Sequence, residues 1–180
     1  FVSFIFVPGT EESITDFMRR IHIIGRKNSG KTTLVVDLVQ EFTRRGLKVA
    51  TVKHTHHHHE LDTPGKDSFR HREAGANVVG ILAPTMNAVF WPAKPGEENS
   101  DRYEQFDALL ADCDLVLVEG HSKVDGIKVE VWRSETLTQP YAAEDASIRA
   151  VVSDDTVPCQ AEVWPRSQVA DLADRLLQLG

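Results

Sequence analysis

The sequence predicts a three-layer α/β fold with a mostly parallel sheet and one local antiparallel hairpin. Three observations carry that expectation. Within residues 21–52 an apolar strand, a 15-residue helix and a second strand follow one another, which is a βαβ unit and therefore implies a parallel sheet. Residues 115–118 (LVLV) are apolar throughout, as a buried strand of such a sheet should be. A final amphipathic helix places Val169, Leu172, Ala173 and Leu176 on one face, with Ser167 suited to cap it.

Taken in order, residues 21–24 form a short apolar strand that runs into Gly25. Residues 31–45 read as a helix, because Val35, Leu38, Val39 and Phe42 recur at helical spacing. Arg44 and Arg45 suit its last turn and Gly46 can close it. Residues 47–52 are the next strand. Residues 67–74 read as a short helix stopped by Gly75, with Asp67 or Ser68 as the cap. Residues 78–82 and 88–91 flank Pro84 and predict the antiparallel pair. The segment 91–101 (WPAKPGEENSD) is an exposed loop, and Tyr103, Phe106, Leu109 and Leu110 mark another helix. Further strands are expected at 127–132 and 148–152. Met18 stands just before the first strand and is read as the natural start. Residues 1–17 are then a non-native or disordered extension, and 18–180 a single domain. An intact mass from the native host that includes residues 1–17 would overturn that reading of the start.

Of the 180 residues 41% are apolar and 26% charged, ordinary for a globular chain of one domain. The net charge of -7 argues against nucleic acid as the main partner. The charge is unevenly spread, with 12 Lys/Arg against 6 Asp/Glu over residues 18–75 and 8 against 18 over 76–180. A basic segment in an acidic chain suits a small anionic ligand, although two solvated faces of opposite sign would give the same counts. No apolar run approaches the roughly 18 residues of a membrane span, so no membrane role is expected. Cys113 and Cys159 fit no metal or redox spacing and are read as reduced thiols of a cytoplasmic protein.

Gly25-Arg26-Lys27-Asn28-Ser29-Gly30-Lys31-Thr32 matches G-x-x-x-x-G-K-[ST] between a strand and a helix. Gly25 and Gly30 permit a backbone turn that aims successive N–H groups at phosphate oxygens. Lys31 can reach the terminal phosphates, and the Thr32 hydroxyl can ligate Mg²⁺. The motif makes the expected fold a P-loop NTPase. Glu119, delivered by the strand at 115–118, is the matching Mg²⁺-organising acid, acting mostly through water. Gly25, His54, Glu119 and Ser153 each follow a strand directly. If those strands are parallel, all four share the carboxyl edge where ligands bind.

Other segments allow more than one reading. His54-Thr55-His56-His57-His58-His59 can line the site, form a solvated loop, or bind a transition metal. Asp62 to Ser68 is either a capped turn or a switch-like loop in which Asp67 or Asp62 assists at the γ-phosphate, with Lys66 and Arg70 facing anions. Ser122-Lys123-Val124-Asp125 resembles a guanine-reading motif but stands too soon after Glu119, and is read as a decoy. Ser153-Asp154-Asp155 is better placed to recognise a base. Arg26 is read as a solvent-facing side chain of the loop.

GRKNSGKTTL, VKHTHHHHELDTPGKDSFRHREAGA and LVLVEGHS, in this order, resemble the molybdopterin-guanine dinucleotide biosynthesis adapter family. The resemblance runs from about residue 18 to the end and is strongest over 21–76. It implies GTP binding with Mg²⁺, weak GTP hydrolysis and a homodimer. It also implies assistance to the molybdopterin guanylyltransferase that joins GMP to molybdopterin, and contact with the molybdopterin-bearing partner enzyme. By motif position, Gly25 and Asn28, Ser29, Gly30, Lys31, Thr32 and Thr33 would hold the phosphates. His54, His56 and His57 would line the site, Thr32 and Glu119 would serve Mg²⁺, and Lys31 and Asp67 would take any catalytic part. No residue is assigned to orient the attacking water and no arginine finger is identified, so turnover is expected to be slow. Two rivals use the same loop. A small-molecule kinase would need an arginine-bearing lid, and a metal-delivery GTPase would draw on the histidine run.

Overall fold

The computed structural model describes residues 19–55, 60–93, 96 and 102–179. The expectations for residues 1–18, His56 to His59 and most of the 91–101 loop lie outside them. Strands β1 (Arg20–Ile24), β2 (Val49–Lys53), β5 (Leu115–Glu119), β6 (Ile127–Val131), β7 (Ile148–Val152) and β8 (Glu162–Trp164) form one sheet in the order β2-β5-β1-β6-β7-β8. Every neighbouring pair in it is parallel. Strands β3 (Val79–Leu82) and β4 (Asn87–Phe90) form a separate antiparallel hairpin. The chain is a three-layer P-loop NTPase fold, as its sequence predicts.

On one face of the sheet lie helices α1 (Lys31–Arg44) and α4 (Val169–Gln178). Leu34, Leu38, Phe42, Leu172 and Leu176 bury themselves there against Ile21, Ile23, Leu115, Leu117, Val129 and Val131. Side chains on a strand alternate between faces, so the next residues along serve the other layer. Val116 and Val118 pack on that second face against Tyr103 and Leu110.

Helix α1 ends one residue earlier than expected and β2 begins two residues later, for a single reason. Gly46 adopts φ 86°, its amide donates to the Thr43 carbonyl, and the Leu47 amide donates to the Phe42 carbonyl. This pair of bonds closes the helix and takes Leu47 out of the strand. The helix expected from Tyr103 to Leu110 is instead a 3₁₀ turn, Tyr103–Phe106, followed by one α-helical turn, α3 (Asp107–Leu110). Leu109 is exposed and only Leu110 of that pair is buried. Ser167 does not cap α4. Gln168 holds the cap position, while the Ser167 amide and hydroxyl both donate to Asp154 Oδ1. Strand β8 was not expected. It has three residues, two of them exposed, and only Trp164 enters the core.

Candidate nucleotide-binding site

Because the main sheet is parallel throughout, Gly25, His54, Glu119 and Ser153 share its carboxyl edge. The turn between β1 and α1 uses left-handed backbone at Asn28 (φ 63°) and Gly30 (φ 95°). Asparagine is among the few non-glycine residues that accept this region. Gly30 is the cap residue of α1 and supplies no side-chain cap, so the helix presents its first amides, from Lys31 to Thr33, as an anion-binding end. Gly25 has a different task. A Cβ there would lie 2.3 Å from the Val131 carbonyl oxygen, a contact no side chain survives.

The Lys31 ammonium donates to the carbonyls of Gly25 at 3.0 Å and Arg26 at 2.7 Å. Burial lowers its pKa, Glu119 opposes that shift, and Lys53 adds to it. The Thr32 hydroxyl donates to Glu119 Oε1 at 2.8 Å. That bond joins the first turn of α1 to the end of β5, so the two expected metal-serving oxygens are already neighbours. Both are hard oxygen donors of the kind Mg²⁺ prefers.

The Gly120 amide donates to the Ile23 carbonyl, and Gly120 has φ 99°. The His54 amide donates to the Glu119 carbonyl at 2.9 Å, which brings that residue to the site's wall. The ring of His54 stacks on His121 at 4.1 Å, and the Tyr103 hydroxyl is 2.9 Å from His121 Nδ1. His22 stands edge-on to both Tyr103 and His121. These aromatic and imidazole side chains form a buried cluster behind the loop.

Asp67 begins α2 (Asp67–Glu73) and is exposed. Among the described residues no hydrogen bond or ion pair links it to residues 25–33. Neither Asp67 nor Ser68 caps that helix. Lys66 holds the cap position, and the Ser68 hydroxyl donates to Asp62 Oδ1, which also accepts from the Thr63 amide. Asp62 thus fastens its own turn. Lys66 and Arg70 are exposed. Ser122 to Asp125 form a turn held by the Val124 amide on the His121 carbonyl, with Val124 buried and Asp125 exposed. Arg26 does not face solvent as expected. Its guanidinium lies over the Tyr141 ring at 4.1 Å, beside the buried Glu130. The Glu130 carboxylate accepts the amides of Tyr141 and Ala142, and burial raises its pKa despite those bonds and Arg26.

Beside the phosphate loop, beyond the ends of β6 and β7, opens a cavity of about 340 Å³. Gly30, Thr33, Trp132, Arg133, Asp154 and Asp155 line it. Sequence reasoning singled out Asp154 and Asp155 but not Trp132, Arg133 or Arg166, which also borders the cavity and pairs with Asp37 of α1. No motif joins those three residues; only the strand order does. Among the described residues no group of three or more His, Cys, Asp or Glu side chains is arranged to hold a metal ion. Cys113 and Cys159 are free thiols. No described helix is long and apolar enough to cross a membrane.

Residues 20–154 match the family model described as molybdopterin guanine dinucleotide synthesis protein B. The chain is 34% identical over 153 residues to the molybdopterin-guanine dinucleotide biosynthesis adapter protein of Haemophilus influenzae, covering 84% of each chain. It is 33% identical to the protein of that name from Escherichia coli, covering 83% of this chain and 86% of the other. Among solved structures it resembles a molybdopterin-guanine biosynthesis protein B with a TM-score of 0.67 at 30% identity, over 89% of this chain and 99% of that one.

Proposed function

The chain belongs to the molybdopterin guanine dinucleotide synthesis protein B family, and on that premise we propose that it is a GTP-binding adapter assisting the attachment of GMP to molybdopterin. The observation that carries the nucleotide part is the Thr32–Glu119 hydrogen bond at 2.8 Å, set at the mouth of a glycine-bounded loop and a helix N-terminus. The residues fit magnesium-bound nucleotide: Gly25, Asn28 and Gly30 set the turn, Asn28 to Thr33 present amides, and Lys31 supplies the cation. Thr32 and Glu119 would hold Mg²⁺, directly and through water. The metal, when bound, neutralises charge on the terminal phosphates.

His54 forms one wall of the site, with its ring held by His121. His56, His57 and Asp67 remain proposed site-lining residues, Asp67 from its position at the start of α2 rather than from a contact. Hydrolysis is slow in this reading, and the bound nucleotide serves as a state signal or as material for the guanylyltransferase. The partners are that enzyme, the molybdopterin-bearing protein and a second copy of the chain, in the cytoplasm. The β3–β4 hairpin suits the dimer contact. It stands outside the main sheet, and Val78, Leu82 and Val89 project from one face of it, exposed. A lone two-stranded hairpin is marginal in water and gains from such cover.

The test is Mg²⁺-dependent equilibrium binding of GTP and ATP, with Lys31→Ala as control. A preference for GTP that disappears in the variant supports the reading. Preference for ATP, or binding that survives the substitution, defeats it.

A further inference from the structure

We propose that His121 and Tyr103 are positioning residues for Glu119, steadying the carboxylate that meets Mg²⁺ without touching metal or nucleotide themselves. The proposal rests on the nucleotide-binding reading and goes beyond it to what supports the metal site in this chain. Both residues are buried, His121 at 7% exposure and Tyr103 at 4%. Whatever they contribute toward a ligand must therefore pass through a neighbour.

Glu119 ends β5, in register with Ile23 of β1 and Lys53 of β2. The next two residues both have left-handed backbone, Gly120 at φ 99° and His121 at φ 62°. Glycine enters that region freely, whereas a histidine persists there only where its surroundings hold it. Two contacts do so here. The Tyr103 hydroxyl is hydrogen-bonded to His121 Nδ1 at 2.9 Å. The His121 ring also lies flat on that of His54, with 4.1 Å between centroids and 7° between planes. His22 of β1 closes the group, edge-on to both Tyr103 and His121.

The stack bears on Glu119 because the main chain of His54 is tied to the same turn. The His54 amide donates to the Glu119 carbonyl at 2.9 Å, and a Cβ on Gly120 would stand 2.9 Å from the His54 carbonyl oxygen. Ring and backbone of His54 thus clasp the chain on both sides of Gly120. The Gly120 amide adds a bond to the Ile23 carbonyl at 3.0 Å, just before the phosphate loop. Held in this way, Glu119 offers Oε1 to the Thr32 hydroxyl at 2.8 Å. Groups that orient a metal's own ligands are commonly worth about 10–100-fold in its affinity.

The experiment measures Kd for GTP on the full chain with Mg²⁺ and with EDTA, and takes the ratio of the two as the gain from the metal. It compares the unsubstituted chain with His121→Gly, Tyr103→Phe and Glu119→Gln. Glycine keeps the left-handed backbone at 121 and removes only the ring; phenylalanine keeps the packing at 103 and removes only the hydroxyl. The expected result is a metal gain reduced about tenfold or more in His121→Gly and in the same direction in Tyr103→Phe, with Kd in EDTA unchanged. If His121→Gly does not fold, Tyr103→Phe alone decides. A ratio that stays unchanged in the deciding variant or in Glu119→Gln overturns the positioning role and leaves nucleotide binding standing. So does an equal loss of affinity with and without Mg²⁺, which is what a merely architectural cluster would give. If the unsubstituted chain binds no GTP, or binds it equally well in EDTA, both readings fall together.

Discussion

Ile21, Ile23, Leu115, Leu117, Val129 and Val131 point from the sheet toward α1 and α4. Their neighbours on β1 and β6, His22, Lys128 and Glu130, are buried on the opposite face, with Glu130 fully enclosed. Each polar group there has a structural errand. The Lys128 ammonium donates to Asp145 Oδ2 at 2.8 Å, and Glu130 takes two amides of the turn at Tyr141 and Ala142. His22 meets the Tyr103–His121 pair behind the phosphate loop. The apolar face supplies most of the burial that stabilises the fold, while the polar face fixes the long β6–β7 connection and the site's backing. Charged groups in a core cost desolvation, so their value lies in what they position.

Substitutions should separate these two roles. On the apolar face Leu117→Ala is expected to cost about 2–5 kcal/mol, the range for a buried leucine that leaves a cavity. Chemical denaturation would measure it, with nucleotide affinity of the remaining folded protein unchanged. On the polar face Glu130→Ala strands the amides of Tyr141 and Ala142, at about 1–3 kcal/mol. A loss as large as that of Leu117→Ala would erase the proposed division between the faces.

The pH dependences of the polar face should oppose one another. Burial raises the folded-state pKa of Glu130 above its ordinary 4.5, so the native state binds its proton more tightly and stability falls as pH rises through that window. Glu130→Gln should flatten this descent. The Lys128 partner lowers Asp145 from 3.8 to about 2. Its contribution is complete above the ordinary value and lost as pH falls toward about 2, and Asp145→Asn should remove that acid-side loss. Thermal unfolding between about pH 2 and 8 reads both, and slopes of the same sign would contradict the assignment. The smallest effect is expected at Tyr141→Leu, which removes the ring beneath Arg26 for about 0.5–1 kcal/mol, measured by the same unfolding.

Much of this arrangement was legible in the chain itself. The β1–α1–β2 unit, the buried β5 and the hairpin follow from apolar spacing and turn residues, which act locally. The phosphate loop was legible because its chemistry needs particular residues at fixed spacing. Glu130 was not. Alternation of apolar and charged residues in IKVEV describes a strand with one wet face, whereas here both faces are covered. Ser167 has the right chemistry for a cap, but Asp154, distant in sequence, claims its hydroxyl. Strand β8 was missed because three residues on a sheet edge carry little pattern. Trp132, Arg133 and Arg166 come from separate connections and meet only after the strands have taken their order.

The first glycine of the phosphate loop is demanded by the sheet. With Val131 O only 2.3 Å from the place of a Cβ, any side chain at Gly25 would wedge β1 and β6 apart whether or not an anion ever arrives. At Gly30 the nearest neighbour of a Cβ would be the flexible Arg133 side chain at 3.8 Å, and the constraint there is the backbone's own φ of 95°. The two glycines that frame the motif therefore answer to different masters. A binding defect in a Gly25 variant would diagnose a broken seam in the scaffold, and only one at Gly30 would speak about the cradle.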